Sequence, residues 1–344
     1  MLDPSETCMG RIKNIHAIIT SKLMGLLVEK NAQIYCFGSS MVNGVVEKKS
    51  DVDVVYLTRE DLQKPLSIGD VCNPQSRSEQ TSILSAISKI LMKDSELFST
   101  VQEKPRARVP YVRGVLKNGL EIDISAHRRN GVRNSLLLRS YFSQIPPTRP
   151  SLPNATTSVY RMLSLALKFW GKRTGLVDPV QTFLTSYAFN VLICYYLQQR
   201  GGMDFIHPES ILIPKGHPTV PDYREIALAG TQGHTCLGWY MRDFLKFYNH
   251  EFDYNNTVVS LSRKGITTKE YLGWGLRDEE RMHGTDGNAF FYRFCVEDPY
   301  ENRLNLGRFV TPLRYSMFRM ALHQAQLNGF GYLNLKNYGA KIVD

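Results

Sequence analysis

Cysteine is scarce in this 344-residue sequence, and no two cysteines stand in a metal-binding arrangement. The six are far apart in the chain, without a Cys-x-x-Cys pair: Cys8, Cys36, Cys72, Cys194, Cys236 and Cys295. Such spacing excludes the common zinc modules and a disulfide framework. Because Cys36 and Cys194 lie in strongly apolar runs, we expect them to be reduced core residues in a protein of a reducing compartment.

Long apolar runs and an excess of acidic residues are also missing. No stretch reaches the about 20 apolar residues that span a bilayer, and the first residues lack a secretory hydrophobic segment. Asp3 and Glu6 leave no legible mitochondrial presequence, and we expect no membrane attachment. Lys and Arg number 42 against 32 Asp and Glu, a net charge of +10, which is a weak indication of a polyanionic partner such as RNA or a nucleoside triphosphate.

Two apolar segments early in the chain are joined through a glycine turn and followed by paired acids. The first segment, 34–37, ends at Gly38-Ser39, and the second begins between Asp51 and Asp53. This pattern predicts a strand, a turn, a short connector and a second strand. Since strand side chains alternate, both aspartates should point to one face and the valines beside them to the opposite, packed face.

Two like charges on one strand face repel each other unless a cation lies between them. Oxygen ligands favour Mg²⁺ or Mn²⁺ over zinc, and a pair of such ions activates a hydroxyl and stabilises a leaving pyrophosphate. Gly38-Ser39 adds a turn that phosphate oxygens can approach, with amide and hydroxyl donors. The alternative is an edge strand with solvated acids. Asp-x-Asp alone would favour that alternative, whereas the joint pattern favours the metal site.

A third carboxylate is expected on a later strand. In 120–125, Glu121 and Asp123 alternate with leucine and isoleucines, so both acids should share one strand face. Upstream, three arginines accompany a strand entry: Arg106, Arg108 and Arg113. They are either a solvated rim or a guide for nucleic-acid phosphates, and the residues alone leave both open. Downstream, Asn134 or Ser135 suits a helix N-cap, or alternatively holds a nucleotide.

The chain becomes mainly helical after a segment rich in Pro, Ser and Thr at 144–157. Apolar periodicity and end signals predict helices over 11–30, 158–173, 182–199, 237–252 and 311–329. At this length and with 43% hydrophobic residues, two domains are expected. We predict a catalytic sheet domain over 30–148 and a helical nucleoside-binding domain formed by 1–29 and 149–344. No function is assigned to 201–235.

Several polar residues of the helical part have two interpretations. Lys168 and Lys172 are neighbours on one helical face, so they are either solvated or jointly hold an anion, and alone they favour the first. Ser186, near a helix start, can donate to phosphate. Tyr187 is either a core residue or a platform on which a base stacks.

Two acids near the end of the chain also allow more than one interpretation. Asp298-Pro299 starts a turn, and Glu301 follows, so both can be plain turn acids. They can equally accept the N3–H of uracil, directly or through a water. Uracil offers a donor at N3, whereas adenine offers a donor at N6 and an acceptor at N1. The two acids therefore fit uracil better, but they do not exclude adenine, because a water can serve either base.

Several segments together resemble the small trypanosomal terminal uridylyltransferases of the polymerase-beta-type nucleotidyltransferase superfamily, over about 34–322. They are Phe-Gly-Ser with Ser-Asp-Val-Asp, Arg-Arg-Asn-Gly-Val-Arg-Asn-Ser, Thr-Ser-Tyr, Gly-Ile-Thr-Thr-Lys-Glu, Glu-Asp-Pro-Tyr-Glu and Leu-Asn-Leu-Gly-Arg. The resemblance implies an α+β fold: a polymerase-beta-like sheet domain plus a mainly helical nucleoside-binding domain, with the active-site cleft between them. It implies an RNA uridylyltransferase that adds UMP from UTP to RNA 3′-hydroxyls without a template, with two Mg²⁺ or Mn²⁺ ions. It also implies a mitochondrial location, a role in RNA processing or editing, and an RNA-processing protein complex as partner.

The resemblance further implies roles for single residues. The catalytic and metal-binding residues would be Asp51, Asp53 and Asp123, the last also aligning the RNA 3′-hydroxyl with the α-phosphate. The UTP-binding residues would be Phe37, Gly38, Ser39, Ser50, Gly131, Asn134, Ser135, Lys168, Lys172, Ser186, Tyr187, Asp298 and Glu301. Ser39, Lys168, Lys172 and Ser186 would hold the triphosphate, Asn134 the ribose 2′-hydroxyl, and Tyr187 would stack on uracil. Asp298 and Glu301 would read the uracil N3–H. RNA would be bound by Arg108, Arg113 and Arg308. Family members often carry a further acid two residues before the third aspartate, and Glu121 stands there.

Two other functions remain open at this point. One is the same chemistry with ATP, as in a poly(A) polymerase. The other is a non-catalytic RNA-binding scaffold, whose mark would be a degenerate acidic triad, whereas all three aspartates are present in the sequence.

Overall fold

The computed structural model describes residues 6–42, 51–64, 74–107, 109–144, 146, 159–177, 183–214, 234–275, 282–283, 289–301 and 304–329. The chain divides into two compact units. The first is Met1–Arg139 with Glu209–Leu228, and the second is Ser140–Pro208 with Ala229–Asp344.

A five-stranded mixed sheet forms the centre of the first unit. Its strands are β1 (Ala32–Phe37), β2 (Val52–Thr58), β3 (Phe98–Lys104), β4 (Tyr111–Leu116) and β5 (Glu121–Ala126). Their order is β1-β2-β5-β4-β3. The central strands β2 and β5 run parallel, and the other neighbours run antiparallel. The structure is therefore α+β, as predicted, and the first predicted strand ends at the expected glycine turn.

Helices cover both faces of this sheet. They are α1 (Glu6–Lys22), α2 (Met24–Glu29), α3 (Ser39–Val42), α4 (Arg59–Gln63), α5 (Pro74–Met92) and α6 (Arg129–Phe142). One face packs its apolar side chains with α1, α2 and α5 in a single core. The opposite face packs Tyr35, Val55 and Leu57 against Val132 and Leu136 of α6. Because strand residues alternate, the aspartates of β2 and β5 share the α6 face with this smaller core.

The position of the N-terminal helix differs from the sequence-based prediction that 1–29 packs with 149–344. Ile12, Ile15 and Ile19 of α1 are buried in the same core as Ile34 and Val54 of the sheet. The helix is thus part of the first unit, and the unit boundary lies at Arg139 instead of at 148. The physical reason is that an amphipathic helix buries its apolar stripe on any apolar surface within reach, and here the sheet provides one.

The second unit is mainly helical. Its helices are α7 (Val159–Thr174), α8 (Ser186–Gln199), α9 (His234–Lys246), which continues into a π-helical turn (Phe247–Glu251), α10 (Lys269–Leu272) and α11 (Pro312–Asn328). Short strands form two pairs: β6 (Thr257–Val258) with β7 (Thr267–Thr268), and β8 (Met282–His283) with β9 (Ala289–Phe290). Aromatic contacts join α8 to the α9 segment, for example Tyr196 with Phe244 at 5.5 Å between ring centres. Helix α11 starts as predicted, with Thr311 as N-cap and proline in its first turn.

Other expectations concern cysteines and membranes. Cys36 and Cys194 are completely buried, as predicted, and Cys236 and Cys295 are also buried free thiols. None of the helices that the structure describes is long and apolar enough to cross a lipid bilayer.

Candidate active site

A row of side chains crosses the sheet of the first unit at the level of the paired aspartates. Asp53 on β2 pairs with Asp123 on its parallel neighbour β5, and Asp123 pairs in turn with Arg113 on β4. Phe37 on β1 continues the row on the other side of Asp53. Both aspartates are half-buried, while the strand residues flanking them are fully buried. The expected alternation of polar and packed faces is therefore present.

Arg113 gathers the acids of this face around its guanidinium group. Its Nε and Nη2 donate to the two carboxylate oxygens of Asp123 at 2.8 and 2.7 Å. Its Nη1 lies 2.9 Å from Oε2 of Glu121, and its Nη2 lies 3.7 Å from Oδ2 of Asp51. The hydrogen bond to Asp123 raises the pKa of Arg113 above its ordinary value, so the guanidinium stays charged. Strand register joins Asp53 to Asp123, and Arg113 joins Asp51 to it, so the three predicted aspartates come together.

Gly38 turns the chain directly beside Asp53. Its φ is 74°, and a Cβ at this position would clash with the carboxylate of Asp53, so the turn requires glycine. The Gly38 amide donates to Oγ of Ser135 at 2.8 Å, and that hydroxyl donates to the carbonyl of Gly131 at 2.8 Å. A side chain at Gly131 would press against the ring of Phe37. The predicted UTP contacts Phe37, Gly38, Gly131 and Ser135 thus form one cluster next to an aspartate.

The remaining predicted nucleotide residues of this unit lie close by in the chain. Ser39 is half-buried and opens α3 directly after the glycine turn. Asn134 is half-buried on α6. Helix α6 begins at Arg129, so neither Asn134 nor Ser135 is an N-cap, in contrast to one interpretation of the sequence. The Ser135 hydroxyl instead bonds to a carbonyl four residues earlier, which is typical of a serine inside a helix.

The aspartates have the donor chemistry of a magnesium or manganese site, because hard divalent ions prefer carboxylate oxygens. Within the described part of the chain, no group of three His, Cys, Asp or Glu side chains is arranged to hold a metal ion. The guanidinium of Arg113 engages both oxygens of Asp123 instead. The residue types therefore fit such ions, while in this arrangement an arginine supplies the positive charge.

Predicted triphosphate contacts of the second unit lie on two helices. Lys168 and Lys172 are four residues apart on α7, the first half-buried and the second exposed. Ser186 is the first residue of α8, after the N-cap Thr185, whose hydroxyl accepts the amide of Ala188 at 3.1 Å. The free amides and dipole of a helix start favour an anion at this place.

Tyr187 and the two predicted base-reading acids come together in the second unit. Burial raises the pKa of the Tyr187 hydroxyl well above its ordinary value, and the negative charges of Asp298 and Glu301 and a hydrogen bond with Asp298 act in the same direction. Asp298 is almost completely buried, and its Oδ1 accepts the amides of Tyr300 and Glu301 at 2.9 Å each. Glu301 is half-buried. Asp298 therefore holds its own turn and the tyrosine hydroxyl together.

The predicted RNA contacts are distributed differently. Arg113 is half-buried on the sheet, among the acids. Arg308 is buried in the second unit, where its Nη1 donates to the carbonyl of Asn305 at 3.0 Å and its guanidinium lies over the ring of Phe309. Two predicted residues lie outside the described part of the chain: Ser50 and Arg108.

Sequence reasoning missed two polar contacts of the sheet. One is the ion pair of Arg113 with Glu121 and Asp123, which depends on the register of β4 against β5. The other is a partly buried pair just after the end of β2, where Nδ1 of His127 lies 2.7 Å from Oδ2 of Asp61. The capping-box pattern Thr58-x-x-Asp61 was a legible signal for half of this second contact. Nothing local in the sequence pointed to the histidine.

A mixed sheet that presents paired carboxylates beside a glycine turn defines the palm of a nucleotidyltransferase. Two family models agree with this class. The central palm domain of mitochondrial-like poly(A) RNA polymerase matches residues 5–143, and the Cid1 family poly A polymerase model matches residues 236–303. The first match includes α1, in line with its packing on the sheet.

Individual similar proteins and solved structures identify the family within the nucleotidyltransferases. Terminal uridylyltransferase 4 of Trypanosoma brucei brucei is 39% identical over 302 residues, which cover 87% of this chain and 85% of that protein. The solved structure of the Trypanosoma brucei protein with bound UTP and UMP superposes with a TM-score of 0.77, at 36% identity, covering 95% of this chain and 99% of that one. The structure of the same protein with bound ATP has a TM-score of 0.71 at 32% identity and the same coverage. The chain belongs to the terminal uridylyltransferase family.

Proposed function

We propose that this chain transfers UMP from UTP to the 3′-hydroxyl of RNA without a template. The hydroxyl oxygen bonds to the α-phosphorus, the bond from that phosphorus to the bridging oxygen breaks, pyrophosphate leaves, and the hydroxyl proton passes to solvent. The observation that carries the proposal is the side-by-side pairing of Asp53 and Asp123 on neighbouring parallel strands, next to the glycine turn at Gly38. The family of the chain supports the choice of uridylyl transfer.

In this proposal Asp51, Asp53 and Asp123 would hold two Mg²⁺ or Mn²⁺ ions. When bound, such ions neutralise phosphate charge, activate the attacking hydroxyl and stabilise the leaving group. The protein's own contribution is orientation, because Gly38 fixes the backbone beside Asp53 and Ser135 fixes the amide of Gly38. Ser39, Lys168, Lys172 and Ser186 would supply hydroxyl groups and positive charge to the triphosphate.

Base recognition is assigned to the second unit. Tyr187 would stack on uracil, and its hydrogen bond with Asp298 would keep the ring in one orientation. Because Asp298 already accepts two backbone amides, we assign the N3–H of uracil chiefly to Glu301, directly or through a water. Asn134 would contact the ribose 2′-hydroxyl, and Arg113 and Arg308 the RNA end. Arg108 and Ser50 keep the RNA and UTP roles expected from the sequence.

Incubation with end-labelled RNA and each of the four nucleotides, with Mg²⁺ and then with Mn²⁺, tests this function. We expect stepwise extension with UTP and little with ATP, CTP or GTP, and no extension by an Asp53→Ala variant under the same conditions. Preferential ATP incorporation would overturn the uridylyl assignment. Absence of incorporation with every nucleotide and both ions would favour the scaffold interpretation.

A second candidate is an adenylyl-transferring enzyme with the same mechanism. It is favoured by the two family models, both described as poly(A) polymerases, and by the relative that has been solved with bound ATP as well as with UTP. Nucleotide binding alone therefore does not discriminate the two functions, and incorporation into RNA has to be measured.

We also propose that the protein acts in mitochondrial RNA processing or editing, in association with an RNA-processing protein complex. The support is the resemblance to the trypanosomal members of the family. Fractionation of cells carrying the tagged full chain, followed by purification with and without ribonuclease, tests both parts. Recovery outside the mitochondrial fraction, or as a single species, would contradict them.

A further inference from the structure

The ion pair between Arg113 and Asp123 uses the oxygens that a metal ion would need. Both carboxylate oxygens of Asp123 accept from the same guanidinium, at 2.8 and 2.7 Å, in the parallel two-bond arrangement. The strand register sets this contact, because Arg113 and Asp123 are directly paired across β4 and β5. Arg113 therefore faces Asp123 from one side of the row, and Asp53 faces it from the other.

A divalent ion and this guanidinium cannot share Asp123 without cost. Both are positive, and like charges at separations of about 4 Å near a protein surface repel each other. A carboxylate whose two oxygens both accept from an arginine also has fewer lone pairs left to coordinate an ion. Binding of an ion at Asp123 therefore requires that the arginine withdraw at least partly.

Glu121 is placed to receive the arginine. Its Oε2 is already 2.9 Å from Nη1 of Arg113, and it lies on the same strand and the same face as Asp123. The ring of Tyr111 lies 5.6 Å from the guanidinium carbon and offers a further contact. The arginine side chain is about one third exposed, so it has room to change partner.

We propose that Arg113 competes with the catalytic divalent ions for Asp123, and that Glu121 is a positioning residue that retains the guanidinium once the ions have bound. This inference rests on the proposed metal-dependent transfer. It assigns a role to Glu121, two residues before Asp123: Glu121 holds Arg113 when metal ions take its place at Asp123.

Binding of Mn²⁺ to the nucleotide-free full chain, followed by the electron paramagnetic resonance signal of the free ion, tests the competition without any turnover. For Arg113→Gln we expect Mn²⁺ to bind about tenfold more tightly than to the wild type, since one charged hydrogen-bonded pair no longer has to be broken. Arg113→Lys keeps the charge but not the two-bond fork, and we expect it also to bind Mn²⁺ more tightly than the wild type. Lys104→Gln is the matched control, because it removes the same charge from another half-buried strand position, on β3, where the ammonium group bonds to Gln102 and to none of the acids around Arg113 in the contacts described.

Three outcomes would overturn the competition: Mn²⁺ affinity of Arg113→Gln equal to or below the wild type, an unchanged affinity in Arg113→Lys, or an equal gain in Lys104→Gln. The role of Glu121 is tested by a double-mutant cycle. Glu121→Gln should weaken Mn²⁺ binding in the wild type and weaken it less in the Arg113→Gln background. Equal weakening in both backgrounds would remove the proposed role of Glu121.

Failure of this inference is distinguishable from failure of the proposed function. UMP incorporation into RNA by the wild type, measured separately, establishes or refutes the transfer whatever the Mn²⁺ affinities are. Unchanged affinities together with normal incorporation would overturn only the exchange of Arg113 for ions.

Discussion

Gly38→Ala inserts one methyl group between the turn backbone and the carboxylate of Asp53. The φ of 74° at this position costs an L-amino acid about 1–2 kcal/mol. The new Cβ would also clash with Oδ2 of Asp53. The backbone has little freedom to yield, because the Gly38 amide is bonded to Ser135 at 2.8 Å. The clash is therefore relieved mainly by displacing the aspartate.

Two separate losses follow from this geometry. The free energy of unfolding should fall by about 2 kcal/mol, which lowers the Tm by roughly 4–8 °C for a unit of this size. Transfer of UMP should fall by at least about 100-fold, because a catalytic group displaced by about 1 Å loses that much rate. Thermal unfolding followed by circular dichroism and UMP incorporation into labelled RNA measure the two effects.

Gly119→Ala is the control. Gly119 also has a positive φ, 83°, but a Cβ there meets no atom within 4 Å. It should lose about 1 kcal/mol of stability through the backbone alone and keep wild-type transfer. If Gly38→Ala transferred UMP at the rate of Gly119→Ala, the turn would not position Asp53 and the reasoning would be refuted.

Other predictions address the aspartates, the stacking tyrosine and Asp61, the buried acid of α4. Asp53→Ala should abolish transfer while circular dichroism shows an intact fold; near-normal turnover would contradict the metal assignment. Tyr187→Ala should raise the KM for UTP by about 5- to 150-fold through lost stacking, which is worth about 1–3 kcal/mol, whereas Tyr187→Phe keeps the ring and should change it less. Burial raises the pKa of Asp61, but the hydrogen bond and charge of His127 lower it overall below 3.8. Because the folded pKa is depressed, the stability from Asp61 is present above about pH 4 and is lost as the pH falls below it. Unfolding by urea should therefore show Asp61→Asn to be less stable than the wild type at pH 7, with the difference shrinking towards pH 3, and a constant difference would contradict this.

The positions of the strands were predictable because polar and apolar residues alternate along each strand. In β2 and β5 acids alternate with residues that are completely buried, and this period of two is legible in the sequence without knowledge of any partner. Helix α1 was different. Its stripe of isoleucines indicates that one face of the helix is buried, but it does not indicate which surface covers that face. The sequence therefore did not reveal that Ile12 and Ile19 pack on the sheet.

The same distinction separates the parts of the site that were predicted from those that were not. Asp53 and Gly38 stood out because turn chemistry and paired charges are local signals. The contact of Arg113 with Asp123 depends on how β4 aligns with β5, and a shift of one residue would have turned the arginine to the other face. The pairing of Tyr187 with Asp298 joins residues more than a hundred positions apart, and only the resemblance brought them into one proposal.

Asp61 and Asp123 are both paired with basic side chains, but they differ in whether they are open to a ligand. Asp61 accepts the amide and hydroxyl of Thr58 at 2.9 Å each and also contacts Lys64 and His127, with its side chain 4% exposed. Several donors saturate it, so it stabilises the junction between β2 and α4. Asp123 is 19% exposed and is held by the side chain of Arg113. One flexible side chain can be exchanged for an ion, whereas a set of backbone and short side-chain donors cannot. Under the proposed function, this difference in how each carboxylate is satisfied, more than its charge, would leave Asp123 and not Asp61 able to bind an ion.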